Sequence, residues 1–395
     1  MINPYTNYTF SFFLALGAFW LGWSGLYPPV EITLLSFLVL TFLLHLAFSV
    51  YWKKKINRVF PSADAYFNPV AVTFFIYLLW TLDFIYEGGI PLFRILMNQP
   101  YNYRLFGFPS LHVFTVTFGS FYTVYLFSLF VAARQRLYLL LYGINLFAAV
   151  LIYSRAMLIF NVAASAFIFL LFSPHHTWRR YAFMIAGMAV LLYLFGMLGS
   201  LRVSFEARKP YDPGMFLDIG DATRNFRESD IPKEFFWGYI YLSSPVANLQ
   251  HNIATYPVPP FSMSRMLQHI NNEMIFDFIS KRINRLAGVD RATENIIPER
   301  PFNVSTVYSR SFSYQGWAGM MMMGLFILII PVLYIRFLPS NRYALTGLAI
   351  LNTMYLFLFY DNTIRFTGLG FQLVYPFMLP LAERAHAWST KKTYL

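Results

Sequence analysis

The chain of 395 residues contains no cysteine, so no disulfide can brace it and no thiol can serve as nucleophile or metal ligand. Charge is nearly as scarce: only 12% of the residues are Asp, Glu, Lys or Arg, against 57% hydrophobic, and the mean hydropathy is +0.50. A water-exposed surface cannot be built from so few charges, which excludes an ordinary soluble domain and places the chain among polytopic helical membrane proteins. The short alternating segments of a β-barrel are lacking. So are a Walker loop, a His-Glu-x-x-His pair and a nucleophile elbow, leaving no support for ATP hydrolysis, zinc proteolysis or lipase chemistry. No Asp-x-Asp metal motif occurs; Glu228-Ser229-Asp230 is the nearest match and fits a solvated loop.

What is present is a series of long apolar windows. A helix needs about 20 apolar residues to cross about 30 Å of hydrocarbon, and ten stretches qualify: 7–27, 31–52, 67–88, 109–132, 137–153, 156–174, 181–200, 311–335, 343–360 and 364–382. The expected fold is an all-α polytopic membrane protein of about ten transmembrane helices. Between spans seven and eight lies a polar insert, so the chain divides into 1–200 (seven spans), 201–310 (the insert) and 311–395 (three spans and a tail).

Basic residues orient the spans. Lys53, Lys54, Lys55 and Arg58, then Arg134 and Arg136, Arg179 and Arg180, Arg336 and Arg342, and finally Arg384, Lys391 and Lys392 fall in alternate loops. By the positive-inside rule these loops are cytoplasmic. They hold 13 basic residues against two acidic ones, Asp64 and Glu383. Both termini are therefore expected inside, and the insert outside as a periplasmic helical domain. The net charge of +12 is mostly this asymmetry and is no argument for nucleic-acid binding.

The outer side then collects charges that are expensive in or near hydrocarbon. Asp83 and Glu87 stand four residues apart on one helical face, just before Gly88-Gly89-Ile90-Pro91-Leu92-Phe93-Arg94, where glycines and proline stop the helix. Residues 90–108 follow as an interfacial or re-entrant stretch containing Arg104, and His112 opens span four. Arg155 lies between two apolar windows with almost no loop, and Arg202 ends span seven. The connection Asp361-Asn362-Thr363-Ile364-Arg365 adds another pair. Each carboxylate also fits a structural ion pair, and each arginine fits snorkelling to headgroups.

Within the insert, 235–256 is aromatic and polar, with Tyr241, Asn248, His251 and Asn252; an amphipathic helix is expected from Ser264 to Ala287, ended by Gly288. Tyr314 stands where span eight begins.

Permanently charged, forked donors suit a phosphate or pyrophosphate. Arg94, Arg104, Arg155, Arg202 and Arg365 are the candidates for holding one, with Tyr241, Asn248 and Tyr314 as further substrate contacts. In a membrane such a group is met on a polyprenyl-pyrophosphate carrier. Glycosyl transfer from that carrier needs charge neutralisation on the leaving group and a base for the attacking hydroxyl. The base candidates are His251, then His112, then Asp83 and Glu87.

Several motifs together resemble bacterial Wzy-type O-antigen polymerases over residues 80–385. They are Gly88-Gly89-Ile90-Pro91-Leu92-Phe93, Tyr103-Arg104-Leu105-Phe106-Gly107, Ser154-Arg155, the large late outer loop and Gly316-Trp317-Ala318-Gly319. The resemblance implies an inner-membrane glycosyltransferase of the C-type class. Such an enzyme moves a growing glycan from undecaprenyl pyrophosphate to the sugar of an incoming lipid-linked repeat unit, without metal or other cofactor, and its expected partner is a Wzz-type chain-length regulator. The related O-antigen ligases carry a histidine followed by a small polar residue in their large loop; His251-Asn252 is similar, but Ser262 stands where their first downstream glycine would fall. Ligase and lipid-linked oligosaccharide flippase remain the alternatives.

Overall fold

The computed structural model describes residues 3–55, 63–97, 99, 106–172, 178–257, 260–288 and 304–392. The helices that precede the insert are α1 (Pro4–Trp20), α2 (Ile32–Lys55), α3 (Pro69–Glu87), α4 (Pro91–Leu96), α5 (Leu111–Ala133), α6 (Arg136–Leu151), α7 (Arg155–Phe172) and α8 (Trp178–Glu206). Those of the insert are α9 (Gly214–Ile219), α10 (Arg224–Arg227), α11 (Phe235–Thr255), α12 (Met263–His269) and α13 (Asp277–Ala287). α14 (Ser309–Phe337), α15 (Ala344–Leu356), α16 (Thr367–Gly370) and α17 (Tyr375–Lys392) complete the chain. Among the described residues there is no β-strand, only an isolated bridge from Ser24 to Ala222.

Among the described residues, four helices are long and apolar enough to cross a membrane: α2 over Ile32–Trp52, α3, α5 and α14. The apolar helices α6, α7 and α15 are shorter. The window at 343–360 yields only the 13 residues of α15. The window at 364–382 divides into α16, a 3₁₀ turn (Phe371–Val374) and the start of α17. Physical causes are local: the Asn362 and Thr363 side chains bond Glu273 and the Met354 carbonyl respectively, which holds the chain out of helix.

Stop signals act where the sequence places them. Gly88 adopts the left-handed conformation that closes α3, and Pro91 opens α4, where a missing N–H costs nothing. Gly288 caps α13 in the same left-handed way.

A single aromatic and aliphatic core joins α1, α2, α5, α14 and α15, centred on fully buried Tyr5, Tyr8, Phe12, Phe121, Tyr308 and Tyr355. Burial of such rings supplies most of the packing energy in a bundle of this kind. α11 packs along α1 and α8, and Phe216, Phe226, Phe236, Tyr239 and Ile240 form a second cluster against Ala18. The insert is thereby bedded on the first helix over much of its length.

Candidate functional site

The expected single helix from Ser264 to Ala287 is interrupted. After α12 the chain makes a five-residue π-helical turn, Ile270–Met274, then two extended residues, then α13. π-Turns displace side chains from the regular helical register and recur at functional sites. Here the displaced residues are polar and buried. Asn272 donates from Nδ2 to Tyr314 Oη (2.9 Å), and its Oδ1 accepts from Ser280 Oγ (2.9 Å) and Asn284 Nδ2 (2.7 Å). Fully buried His269 stacks on the Tyr314 ring, with 5.5 Å between centroids, and its Nε2 lies 2.9 Å from Ser311 Oγ. Burial pushes the His269 imidazole down to about 4, so it is neutral at ordinary pH.

Glu273 is the charged member of the turn and is only 1% exposed. Its Oε1 accepts from Arg365 Nη1 at 2.8 Å, and Arg310 Nη1 stands 3.9 Å from the same oxygen. Asn362 Nδ2 donates to its Oε2 at 3.3 Å. Arg365 is held from several directions, since Nη1 also reaches the Asn272 carbonyl at 3.2 Å and its own carbonyl accepts the Asp277 N–H at 3.0 Å. Besides Glu273, the negative charges of Asp361 and Asp277 act on the Arg365 guanidinium. Two guanidinium groups therefore converge on the one buried carboxylate of Glu273, with Asp361 and Asp277 close by.

α14 is shaped to meet the turn. Gln315 and Gly316 break its helical path, and Gly316 takes φ 58°, ψ −137°, a conformation effectively reserved for glycine. A Cβ on Gly319 would lie 2.1 Å from the Ser311 carbonyl, so the turn of α14 carrying Ser311 packs directly on its backbone. The Gly316-Trp317-Ala318-Gly319 motif thus shapes the helix beside Tyr314 and Ser311.

A second cluster sits at the α3 end. Asp83, with no exposed surface, accepts the Phe108 N–H on Oδ1 (2.9 Å) and faces His112 Nδ1 through Oδ2 (2.9 Å). The carboxylate assigns the proton to Nδ1 and makes Nε2 the basic nitrogen of the ring. Glu87, one turn on, accepts the Gly107 N–H at 2.8 Å. Gly107 has φ 95° and abuts the imidazole: a Cβ there would be 2.3 Å from His112 Cγ. Trp80 and Phe106 meet the ring edge to face. The carboxylates therefore hold the loop that clamps His112, while Arg94 donates to the Glu87 backbone carbonyl rather than to its carboxylate.

α13 links the two clusters. Its first turn is anchored by the Phe278 N–H on Thr367 Oγ1 (3.0 Å), and Arg282 Nη2 reaches Ser110 Oγ (3.0 Å), two residues before His112. Glu273, Arg310, Arg365, Arg282 and His112 thus line one end of the bundle.

The remaining sequence candidates are spread around that end. Arg155 is exposed at the start of α7, and its charge is felt at Tyr360, whose ring stacks on Tyr241 at 6.1 Å. Asn248 donates to the Val304 carbonyl at 2.6 Å, an anchoring bond. His251 lies half-buried near the end of α11, 3.4 Å from Thr255 Oγ1 on its own helix, and takes no part in the hydrogen bonds just described. Arg202 lines a shallow pocket of about 380 Å³ with Phe205, Lys209 and Tyr211 at the end of α8. Arg104 lies outside the described residues.

Sequence reasoning missed Glu273, Arg310, Arg282 and His269. The available signal was a cluster of polar residues, His269 to Glu273, inside a supposedly amphipathic helix. Among the described residues no group of three His, Asp or Glu side chains is arranged to hold a metal ion. No family profile, curated protein or solved structure matches the chain.

Proposed function

We propose that the chain is a Wzy-type polymerase of lipid-linked polysaccharide repeat units, acting at the periplasmic face of a bacterial inner membrane with about ten spans and both termini in the cytoplasm. The growing glycan leaves undecaprenyl pyrophosphate and is transferred to a sugar hydroxyl of the incoming repeat unit. A Wzz-type chain-length regulator is the partner this reading calls for.

In that reaction the acceptor oxygen forms a bond to the anomeric carbon as the bond from that carbon to the pyrophosphate oxygen breaks. The hydroxyl proton passes to His112 Nε2, with Asp83 stabilising the imidazolium. Arg365 and Arg310 neutralise the departing pyrophosphate, and Glu273 positions their guanidinium groups. Arg155, Tyr241 and Tyr360 flank the sugar path. His112 is preferred to His251 as the base because Asp83 fixes its tautomer and leaves Nε2 as the basic nitrogen.

The observation that carries the reading is the link between the two clusters: a half-buried His112 paired with buried Asp83 and a carboxylate with two arginines occur at the same bundle end, tied by Arg282 to Ser110. One chromosomal deletion tests it. Lipopolysaccharide from the deletion host should lose its ladder and keep core plus a single repeat. Core alone would instead identify a ligase or a flippase.

A further inference from the structure

α13 has an unusual distribution of side chains. Ser280 and Asn284 are buried and spend their polar groups on Asn272 and Asn271. Ile279, Ile283 and Leu286, spaced by four and three, share another face. On that face Ile283 is 41% exposed and Leu286 is 89% exposed. Arg282 and Arg285 are exposed on the flank of that face, and Lys281, also exposed, pairs with Asp277 at 2.6 Å, the single acidic residue of the helix. In water this arrangement is inside out, with amides inward and leucine outward. It suits a helix lying in a membrane interface, where the apolar edge enters the acyl boundary and the basic residues meet phosphate.

The tethers of α13 set it at that depth. Arg282 bonds Ser110, the residue immediately before α5, and α5 is a 23-residue apolar helix long enough to cross a membrane. The first residue of a spanning helix lies at the hydrocarbon boundary. α12 also exposes apolar side chains, Met263 (57%) and Leu267 (59%).

We infer that the outer face of α13 is a lipid-contact surface, seated among acidic phospholipid headgroups of the leaflet at the N-terminal end of α5. The inference is independent of the glycosyltransferase reading, because it uses only the placement and composition of this helix.

The absence of cysteine makes the test clean. Leu286→Cys supplies the sole thiol for a nitroxide label, with Asp230→Cys, an exposed polar loop position, as the aqueous control. The full-length chain is reconstituted into vesicles of phosphatidylcholine, with and without phosphatidylglycerol. The label at 286 should collide more with oxygen than with a water-soluble nickel chelate, the reverse of 230, and should move deeper when phosphatidylglycerol is present. Lys281→Gln with Arg285→Gln should abolish that lipid-dependent shift while leaving the fold, followed by circular dichroism, unchanged. Nickel access at 286 equal to that at 230 would overturn the inference. So would a depth indifferent to phosphatidylglycerol, or dipolar broadening with low access to both reagents, which would show a second copy covering the face.

Discussion

Arg365, on the connection after α15, donates from Nη1 to Oε1 of Glu273 in the π-turn at 2.8 Å, across 92 positions of sequence. The carboxylate is only 2% exposed and the guanidinium 18%, so neither charge is left to water.

Breaking one partner of a buried ion pair strands the other, typically at roughly 3 to 5 kcal/mol. Glu273→Ala should therefore lower thermal stability markedly in detergent, whereas Glu273→Gln, which can still donate and accept, should cost less. Arg365→Lys keeps the charge but loses the planar guanidinium that places Nη1 against both Glu273 and the Asn272 carbonyl. It should fold, yet retain only a small fraction of activity. Stability and polymer formation measured on the same preparations separate these outcomes.

The Asp83–His112 pair predicts a different signature. Asparagine at 83 can accept the Phe108 N–H but presents no carboxylate to His112 Nδ1, so the favoured tautomer is lost. Asp83→Asn should reduce the rate constant for glycan transfer about 10²-fold or more with little change in substrate affinity. His112→Ala should be at least as damaging. A single-turnover assay over a range of pH checks both; His112→Ala within a few-fold of wild type would return the role of base to His251.

His269 carries a prediction about pH and stability. Its folded pKa, about 4, lies below the ordinary histidine value of 6.5, so the unfolded chain binds the proton more readily between those values. The stabilising effect of keeping it neutral is complete above about pH 6.5 and fades as pH falls towards 4. The full effect is about 3 kcal/mol at most. Melting temperatures from pH 4 to 8 should decline on the acid side, and His269→Gln should flatten that decline.

The proposed topology is checked by accessibility. Cysteines introduced at Ser229 and Ser389 should react with an impermeant reagent in intact cells only at position 229. Labelling at 389 alone would reverse the orientation and move the site to the wrong side of the membrane.

Parts of this arrangement were legible in the sequence and parts were not. α2, α3, α5 and α14 follow from uninterrupted apolar runs, and the stops at Gly88 and Gly288 follow from glycine's freedom at positive φ. Asp83, Glu87 and His112 were legible as charges too deep to be idle, although only the folded chain assigns the carboxylates to Phe108, Gly107 and the imidazole. Glu273 was not legible. Its partners Arg310 and Arg365 are distant in sequence, and helical periodicity has no term for a π-turn that rotates Asn272 towards Tyr314. The breaks in the helices after 343 were not legible because hydropathy ignores Asn362 and Thr363 bonding across to Glu273 and Met354.

The most direct measurement uses purified protein in vesicles supplied with a single undecaprenyl-pyrophosphate-linked repeat unit. The proposed reaction yields a lipid-linked dimer of repeats and one undecaprenyl pyrophosphate for each bond formed, with both products lost in Arg365→Ala and His112→Ala. Vesicles that form no dimer, or that release the carrier without extending the glycan, would contradict it.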